Sequence, residues 1–295
     1  MLDFRMETFL AVCECLNYTR AAEKLNITQP AVTQHIQYLQ DQYGARLFTY
    51  RNKQLSLTPE GVLLRDAAVT MRHDVDKLKR DMGQIQSGAR TIRLGATLTI
   101  GPYAIPARLA AYLKGHPDSD VHLLVENTQV LLRELREGRL DCALVEGYFP
   151  KSEYDFRHWT LEPYVCVCAA GHPFPQSPLR LEDLLGETLL LRNPGSGSRE
   201  ILLRVLEDHN LRPADFRRVI EISDLTVIKE LAAAGCGITF LYRRAAEREC
   251  AAGILREVPL LDFHVEHEFT FLWRKGSVFE AEYRQFFAEL CAPDR

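Results

Sequence analysis

The chain lacks most of the signatures that would assign it a reaction. Its 295 residues include eight cysteines, at 13, 15, 142, 166, 168, 236, 250 and 291, with no CxxC pair and no histidine partners at zinc spacing. Neither a disulfide framework nor a structural metal site is therefore indicated. Cys13 and Cys15 would point to nearly opposite faces of a helix, whereas Cys166 and Cys168 share one face of a strand, and we read all eight as small reduced core thiols in preference to redox sensors. There is no G-x-x-x-x-G-K-[ST] loop, and Ser196 and Ser198 do not sit in a G-x-S-x-G elbow. The nine histidines are scattered, with His264 and His267 at a strand edge. No catalytic residue, metal or cofactor is assigned. No apolar run reaches the ~20 residues needed to cross a bilayer, and the opening MLDFRMETFLAV carries Asp3 and Glu7 where an export signal would be basic and then apolar. A cytoplasmic protein with no membrane partner is expected.

A surplus of cations is missing too. The net charge is −4, which argues against nucleic acid as a partner until its distribution is considered. Residues 1–88 hold 11 Lys and Arg against 10 Asp and Glu, and the remainder 25 against 30. A DNA-binding reading must therefore rest on motif geometry.

What is present is a soluble composition, 46% hydrophobic and 26% charged, on a chain long enough for two or three compact units. Phe9, Val12, Cys13 and Leu16 form a helical stripe. Thr19 can cap a second, short helix ending at Leu25, and Asn26 suits a left-handed turn. Thr28 can cap a third helix with Pro30 in its first turn. That helix buries Val32, Ile36 and Leu39 and leaves Gln29, Thr33, Gln34 and Gln37 outside. Two helices joined by a three-residue turn form a helix-turn-helix, whose Thr and Gln face can reach base edges in the major groove. LFTYRNKQLSLTPEG then alternates around Arg51-Asn52-Lys53, a two-stranded wing with cations at its tip. A solvated helical unit with a polar third helix would show the same features.

Thr58-Pro59-Glu60-Gly61 opens a long helix from Pro59 to Gln86. Leu64, Ala68, Met71, Val75, Leu78, Met82 and Ile85 are spaced alternately by four and three, a heptad seam that predicts a dimer; packing against its own chain is the alternative. After Ser87-Gly88-Ala89, strand-like and helix-like segments alternate. Strands are expected at Thr91–Ala96, Val121–Val125, Cys142–Glu146, Val165–Ala169, Thr188–Leu191, Arg218–Ile222, Ile238–Leu241 and Phe269–Trp273. This is an α/β architecture that divides into two lobes with a ligand cleft at the strand ends.

Together these stretches resemble the LysR-type transcriptional regulators. TRAAEKLNITQPAVTQHIQYLQDQYGARLF at residues 19–48 is similar to the family signature, and LTPEG follows at Leu57–Gly61. IRLGATLTIGPYAIPARLAAY, LREGRLDCALVEG, RNPGSGSRE and AAAGCGITFL look like its effector-domain landmarks in order. The resemblance implies an N-terminal winged helix-turn-helix (1–58), a linker helix pairing two chains (59–88), and a two-lobed α/β effector domain like a periplasmic binding protein (89–295). Lobe I would hold 89–163 and 268–295, and lobe II 164–267. It implies DNA contacts from Thr28, Gln29, Pro30, Thr33 and Gln34, with Arg51 and Lys53 in the wing. Gln34 and Tyr50 depart from the arginines of many members, with Arg51 standing in one residue later, and Tyr242 follows GITFL where many have proline.

The matching effector positions are Thr97, Thr99, Asn127, Thr128, Glu146, the Asn193–Ser198 loop with Ser196, Thr226 and Thr239. Hydroxyls and free N–H groups around Thr99-Ile100-Gly101-Pro102 and Asn193–Ser198 suit an anion, with Arg192 or Arg199 adding charge. The same hydroxyls would also serve as plain helix caps. The implied function is a regulator of promoter DNA controlled by a small-molecule, anionic effector. It would act as a homodimer and, by the resemblance, a homotetramer, with RNA polymerase as a further partner. The rivals are a constitutive repressor with a vestigial cleft and a solute-binding protein, the latter disfavoured by the missing export signal.

Overall fold

The computed structural model describes residues 3–51, 54–84, 90–174, 176–177 and 180–291. Asp3 caps α1 (Phe4–Cys15), which buries Phe9, Leu10 and Val12. The cap of α2 (Tyr18–Leu25) is Asn17, whose Oδ1 accepts from the Arg20 amide at 3.0 Å, and not Thr19 as expected. The extended backbone at Asn17 presents its amide oxygen to the first turn two residues before the threonine. Asn26 closes the helix at φ 54°. Thr28 caps α3 (Gln29–Tyr43), and Val32, Ile36 and Leu39 are buried as the spacing predicts. β1 (Phe48–Arg51) and β2 (Gln54–Leu57) form the antiparallel wing, with Arg51 opposite Gln54. Lys53, the proposed phosphate contact at its tip, lies outside the described residues.

Thr58 opens α4 (Pro59–Gln84), accepting from the Gly61 amide at 2.9 Å and donating to the Arg46 carbonyl at 2.6 Å. The helix presents three faces. Ala68 is 1% exposed in the core of the N-terminal unit, which corrects its place in the seam: a small side chain here lets the helix approach α1. Of the other seam positions, Met71, Leu78 and Met82 are 55%, 50% and 62% exposed, Leu64 and Val75 are half-buried, and Ile85 lies outside the described residues.

The third face is polar and buried against the same chain's effector domain. His73 Nε2 donates to the Leu140 carbonyl at 3.0 Å, and Asp74 accepts from Ser277 Oγ at 2.6 Å and the Val278 amide at 2.9 Å. Lys77 reaches Glu282 at 3.0 Å, and Arg80 donates to Asp141 at 2.5 Å. Buried charges at such a junction are tolerated only because each is paired.

The effector domain follows as β3 (Arg90–Ala96), α5 (Ile100–Tyr103), α6 (Pro106–Gly115), β4 (Ser119–Val125), α7 (Thr128–Arg136), β5 (Cys142–Glu146) and β6 (Tyr154–Ala169). Then come β7 (Thr188–Arg192), α8 (Gly197–Asp208), β8 (Arg218–Ile222), α9 (Leu225–Ala233), β9 (Thr239–Tyr242), α10 (Arg243–Ala251), β10 (Leu255–Glu257), β11 (Val265–Arg274) and α11 (Glu280–Leu290). β4, β3 and β5 are parallel, β11 runs antiparallel to β5 and β6, and β9 and β10 complete the sheet on β6. β7 and β8 form a separate parallel pair, joined to this body by the Leu189–Ile238 bridge.

β6 and β11 extend well beyond the segments expected from sequence. Their added halves meet through Val265↔Tyr164 to Glu268↔Leu161; Val265–Glu268 alternates half-buried with exposed positions, and the first half of β6 mixes exposed Arg157, His158 and Leu161 with buried Tyr154 and Glu162, so no continuous apolar run marks either. They carry the sheet between the two lobes. The apolar core includes Leu94, Leu144, Phe240, Phe269, Phe271 and Trp273 from this framework. Among the described residues no helix is long and apolar enough to cross a membrane.

Candidate functional site

Two sites are built on this frame. At the N-terminal end of α3, Thr28, Gln29, Pro30, Thr33 and Gln34 are all exposed. Gln29 Nε2 donates to Thr33 Oγ1 at 2.9 Å, which aligns both side chains on one outward face. That face borders an open groove of about 760 Å³ that also touches Asn17, Tyr18, Thr19, Tyr50 and Gln54. The groove brings the start of α2, the start of α3 and the wing onto one surface, the arrangement a helix-turn-helix uses to set one helix on bases and the neighbouring helix end on phosphates. Sequence reasoning noted Tyr50 only as a departure from the family's arginine and missed Gln54, because the fold of the wing back toward α2 has no local signal.

The second site lies where β5 and α7 of one lobe meet the Asn193–Ser198 loop of the other. Thr97 donates to the Glu146 carboxylate, and Thr99 also hydrogen-bonds to it. Thr128 Oγ1 donates to the Glu146 carbonyl at 3.1 Å. Glu146 is 2% exposed. Burial raises its pKa, while the two threonine hydroxyls and the Arg192 guanidinium pull the other way. Arg192 is 4% exposed, its Nε and Nη1 have no partner, and burial draws its pKa down against the pull of Glu146.

The two lobes touch here through glycines. A Cβ on Gly197 would lie 2.2 Å from the Glu146 carbonyl oxygen, and one on Gly147, at φ +93°, would lie 2.7 Å from the Gly197 Cα. Only glycine at 197 permits this approach, and the positive φ at 147 favours glycine as well.

Several expected roles change. Thr99 precedes α5 and Ser196 precedes α8, yet neither hydroxyl caps its helix: Thr99 turns to Glu146, and Ser196 Oγ lies 2.9 Å from Ser198 Oγ. The plain capping role therefore fails at these two positions. It holds at Asn127, which accepts from the Val130 amide at 2.9 Å. Thr226 is exposed in the first turn of α9, where Asp224 takes its amide. Thr239 spends its hydroxyl on the Leu190 carbonyl at 2.8 Å, tying β9 to β7. Arg199 is withdrawn from the site by Glu221 at 2.6 Å. Asn193 keeps a buried, unpartnered Oδ1, and so does the Tyr242 hydroxyl, which the sequence reading had not placed at the site. The site therefore gathers Thr97, Thr99, Thr128, Glu146, Arg192 and the Ser196–Ser198 pair.

All eight cysteines are free thiols, and Cys236 is exposed, which corrects its reading as a core residue. Cys142, Cys166 and Cys168 are buried, and burial raises the pKa of each. It pushes the thiols of Cys13 and Cys291 up to about 12. A thiol held protonated is a poor nucleophile toward oxidants.

Comparison with known proteins identifies the two domains that carry these sites. The family model for the bacterial regulatory helix-turn-helix protein, lysR family, matches residues 4–62, and that for the LysR substrate binding domain matches residues 86–292. The chain is 31% identical over 278 residues to the HTH-type transcriptional regulator CbbR of Rhodospirillum rubrum, covering 92% of this chain and 90% of that protein. It is 30% identical over 259 residues to the HTH-type transcriptional regulator CysL of Bacillus subtilis, covering 87% and 84%. The crystal structure of ArgP from Mycobacterium tuberculosis superposes with a TM-score of 0.65 at 20% identity, over 99% of this chain and 98% of that one, a likeness of fold.

Proposed function

The chain belongs to the LysR-type transcriptional regulators, and from that premise we propose that it binds promoter DNA sequence-specifically in the cytoplasm under the control of a small oxyanion held between the effector lobes. It is a transcription regulator and not an enzyme. We assign residues 1–58 to DNA binding, 59–88 to the linker and 89–295 to effector binding. Gln29, Thr33 and Gln34 face bases, Thr28 and Pro30 set the start of α3, and Arg51 and Lys53 meet phosphates. The remaining exposed seam of α4 pairs two chains, and two such dimers form a tetramer that meets RNA polymerase at the promoter.

One observation carries the effector class. Arg192 is a buried guanidinium with two N–H-bearing atoms unpartnered, beside Ser196, Ser198 and the Thr97–Glu146–Thr99 cluster. Glu146 offsets the charge of Arg192, but each buried donor left without an acceptor costs about 1–3 kcal/mol, so a cleft without a ligand has no reason to keep them. This disfavours a vestigial cleft. A carboxylate or inorganic oxyanion that bridges Arg192 and the hydroxyls of both lobes stabilises the closed arrangement and shifts the population toward it.

The test is a footprint on the DNA upstream of the chain's own gene, at fixed salt and with random competitor DNA, with and without sulfate as the probe anion. Protection of an interrupted two-fold-symmetric site, altered by sulfate in the native chain but not in Arg192→Gln, is the expected result. Protection without sequence preference overturns the DNA assignment, and an identical sulfate effect in the variant overturns the cleft.

A further inference from the structure

A second cavity, of about 340 Å³, opens where α1 and α4 meet α7 and β11, away from the effector cleft. Arg65 and Arg72 enter it from α4, Arg133 and Arg136 from α7, and Arg274 from the end of β11. Four carboxylates share the lining, but each already has a close cationic partner. Asp66 holds Arg65 at 2.8 Å, and Glu153 accepts from Arg274 at 3.2 Å. Glu14 pairs with Lys24, and Glu137 with Arg139.

With Glu7, Glu134, Lys24 and Arg139 at its rim, seven cations face six carboxylates, one positive charge in excess, and Arg72, Arg133 and Arg136 are the guanidinium groups held most loosely. Arg72 stands 3.9 Å from Glu7 and from Glu14, and Arg133 is 3.7 Å from Glu134, whose carboxylate already takes Arg139 through two nitrogens. Among the described residues Arg136 has only the Leu132 carbonyl, at 3.3 Å from its Nε. In addition, the side chain of Arg274 is 1% exposed and its Nε has no partner. Guanidinium forks converging on one concavity match a phosphate group, which accepts paired N–H donors from several directions.

We infer that this cavity is a second anion site, one that takes a small phosphate-bearing molecule and clamps the linker helix to the effector domain. The placement gives the ligand its effect. Arg72 lies on the linker, Arg133 and Arg136 on the effector domain, so one bound dianion would join the two. α7 also begins at the effector cleft, through Thr128, and ends at this cavity.

The experiment follows thermal unfolding of the full chain carrying Arg192→Gln, which weakens the cleft, with inorganic phosphate or glycerol 3-phosphate against chloride at equal ionic strength. A saturable rise of several degrees is expected, lost in Arg133→Gln/Arg136→Gln on one wall and in Arg72→Gln on the other. All three side chains are at least partly exposed, so their loss leaves the fold standing. A rise with both probes shows that the phosphate group suffices; a rise with glycerol 3-phosphate alone shows that an organic ester is required. No saturable rise with either probe, or a rise that persists in both sets of variants, overturns the inference.

Discussion

Glu146→Gln should uncouple anion binding from pH. In the closed cleft the Glu146 carboxylate occupies the Thr97 and Thr99 hydroxyls and draws on Arg192, the same groups an incoming oxyanion needs. An anion beside it adds a like charge to a group whose pKa burial has already raised, so the liganded value lies higher still. Between those two values each bound anion takes up one proton. Affinity is therefore greatest at low pH, falls about tenfold per pH unit through that window, and levels off above it.

The stability sign agrees. Because the folded pKa is raised, the protonated carboxyl is the form that stabilises the fold, and the ligand-free chain loses stability as pH rises through that raised value. Glutamine keeps the shape and carries no charge. Sulfate, which does not titrate over about pH 5 to 8, is the suitable probe in calorimetry. Glu146→Gln should bind it with a flat pH profile and more tightly than the native chain at the upper end. Arg192→Gln, losing charge-assisted hydrogen bonds worth about 1.5–3 kcal/mol, should bind it about 10- to 150-fold more weakly at every pH. Parallel pH profiles for the native chain and Glu146→Gln would refute this reasoning.

Three further outcomes are expected. Gly197→Ala places a Cβ 2.2 Å from the Glu146 carbonyl, so the lobes must separate there, and sulfate affinity should fall more than about tenfold while DNA binding stays intact; unchanged affinity would show that closure is not needed. Met71→Asp with Leu78→Asp puts charges on exposed apolar seam positions and should reduce the solution mass by light scattering to that of a single chain, an unchanged mass arguing against pairing through α4. Asp141→Asn strips the charge from a 1% exposed carboxylate that accepts from Arg80 at 2.5 Å and the Arg93 amide at 2.9 Å. With about 3 kcal/mol lost, amide exchange along residues 70–81 should quicken roughly 100-fold.

The N-terminal unit was the most legible part of the chain, because its signals are local. Thr28, Pro30 and Asn26 act within a turn of where they stand, and the four-and-three spacing of Val32, Ile36 and Leu39 reports burial directly. The strands of the effector domain were legible where both faces are covered, as in Cys142–Glu146, and truncated where one face meets solvent, as in the first half of β6. The cleft was half legible. Its hydroxyls were named, but which of them cap helices and which face Glu146 depends on a meeting of segments 18 and 49 residues apart. The arginine-lined cavity was not legible at all, since Arg72, Arg133 and Arg274 converge only once the linker has docked.

That docking ties the sites together. The linker's apolar seam announces itself by period, while its opposite face, Thr70, His73, Asp74 and Lys77, reads as an ordinary solvated stripe and is in fact buried. No periodicity distinguishes a polar face that meets water from one that meets Ser277, Glu282 and the Leu140 carbonyl. Asp141, which holds Arg80 of that helix, immediately precedes β5, and Glu146 of the effector cleft ends it. The two carboxylates are thus separated by one fully buried strand, roughly 17 Å at ~3.3 Å per residue. A strand packed on all sides cannot stretch to absorb a shift at one end, so a movement of Glu146 against Gly197 is expected to shift the backbone that carries Asp141. Asp141→Asn therefore bears on more than stability. If sulfate still binds this variant as tightly but no longer alters the footprint, β5 is the connection between the two carboxylates. If the footprint still responds in full, the signal leaves the cleft by another route.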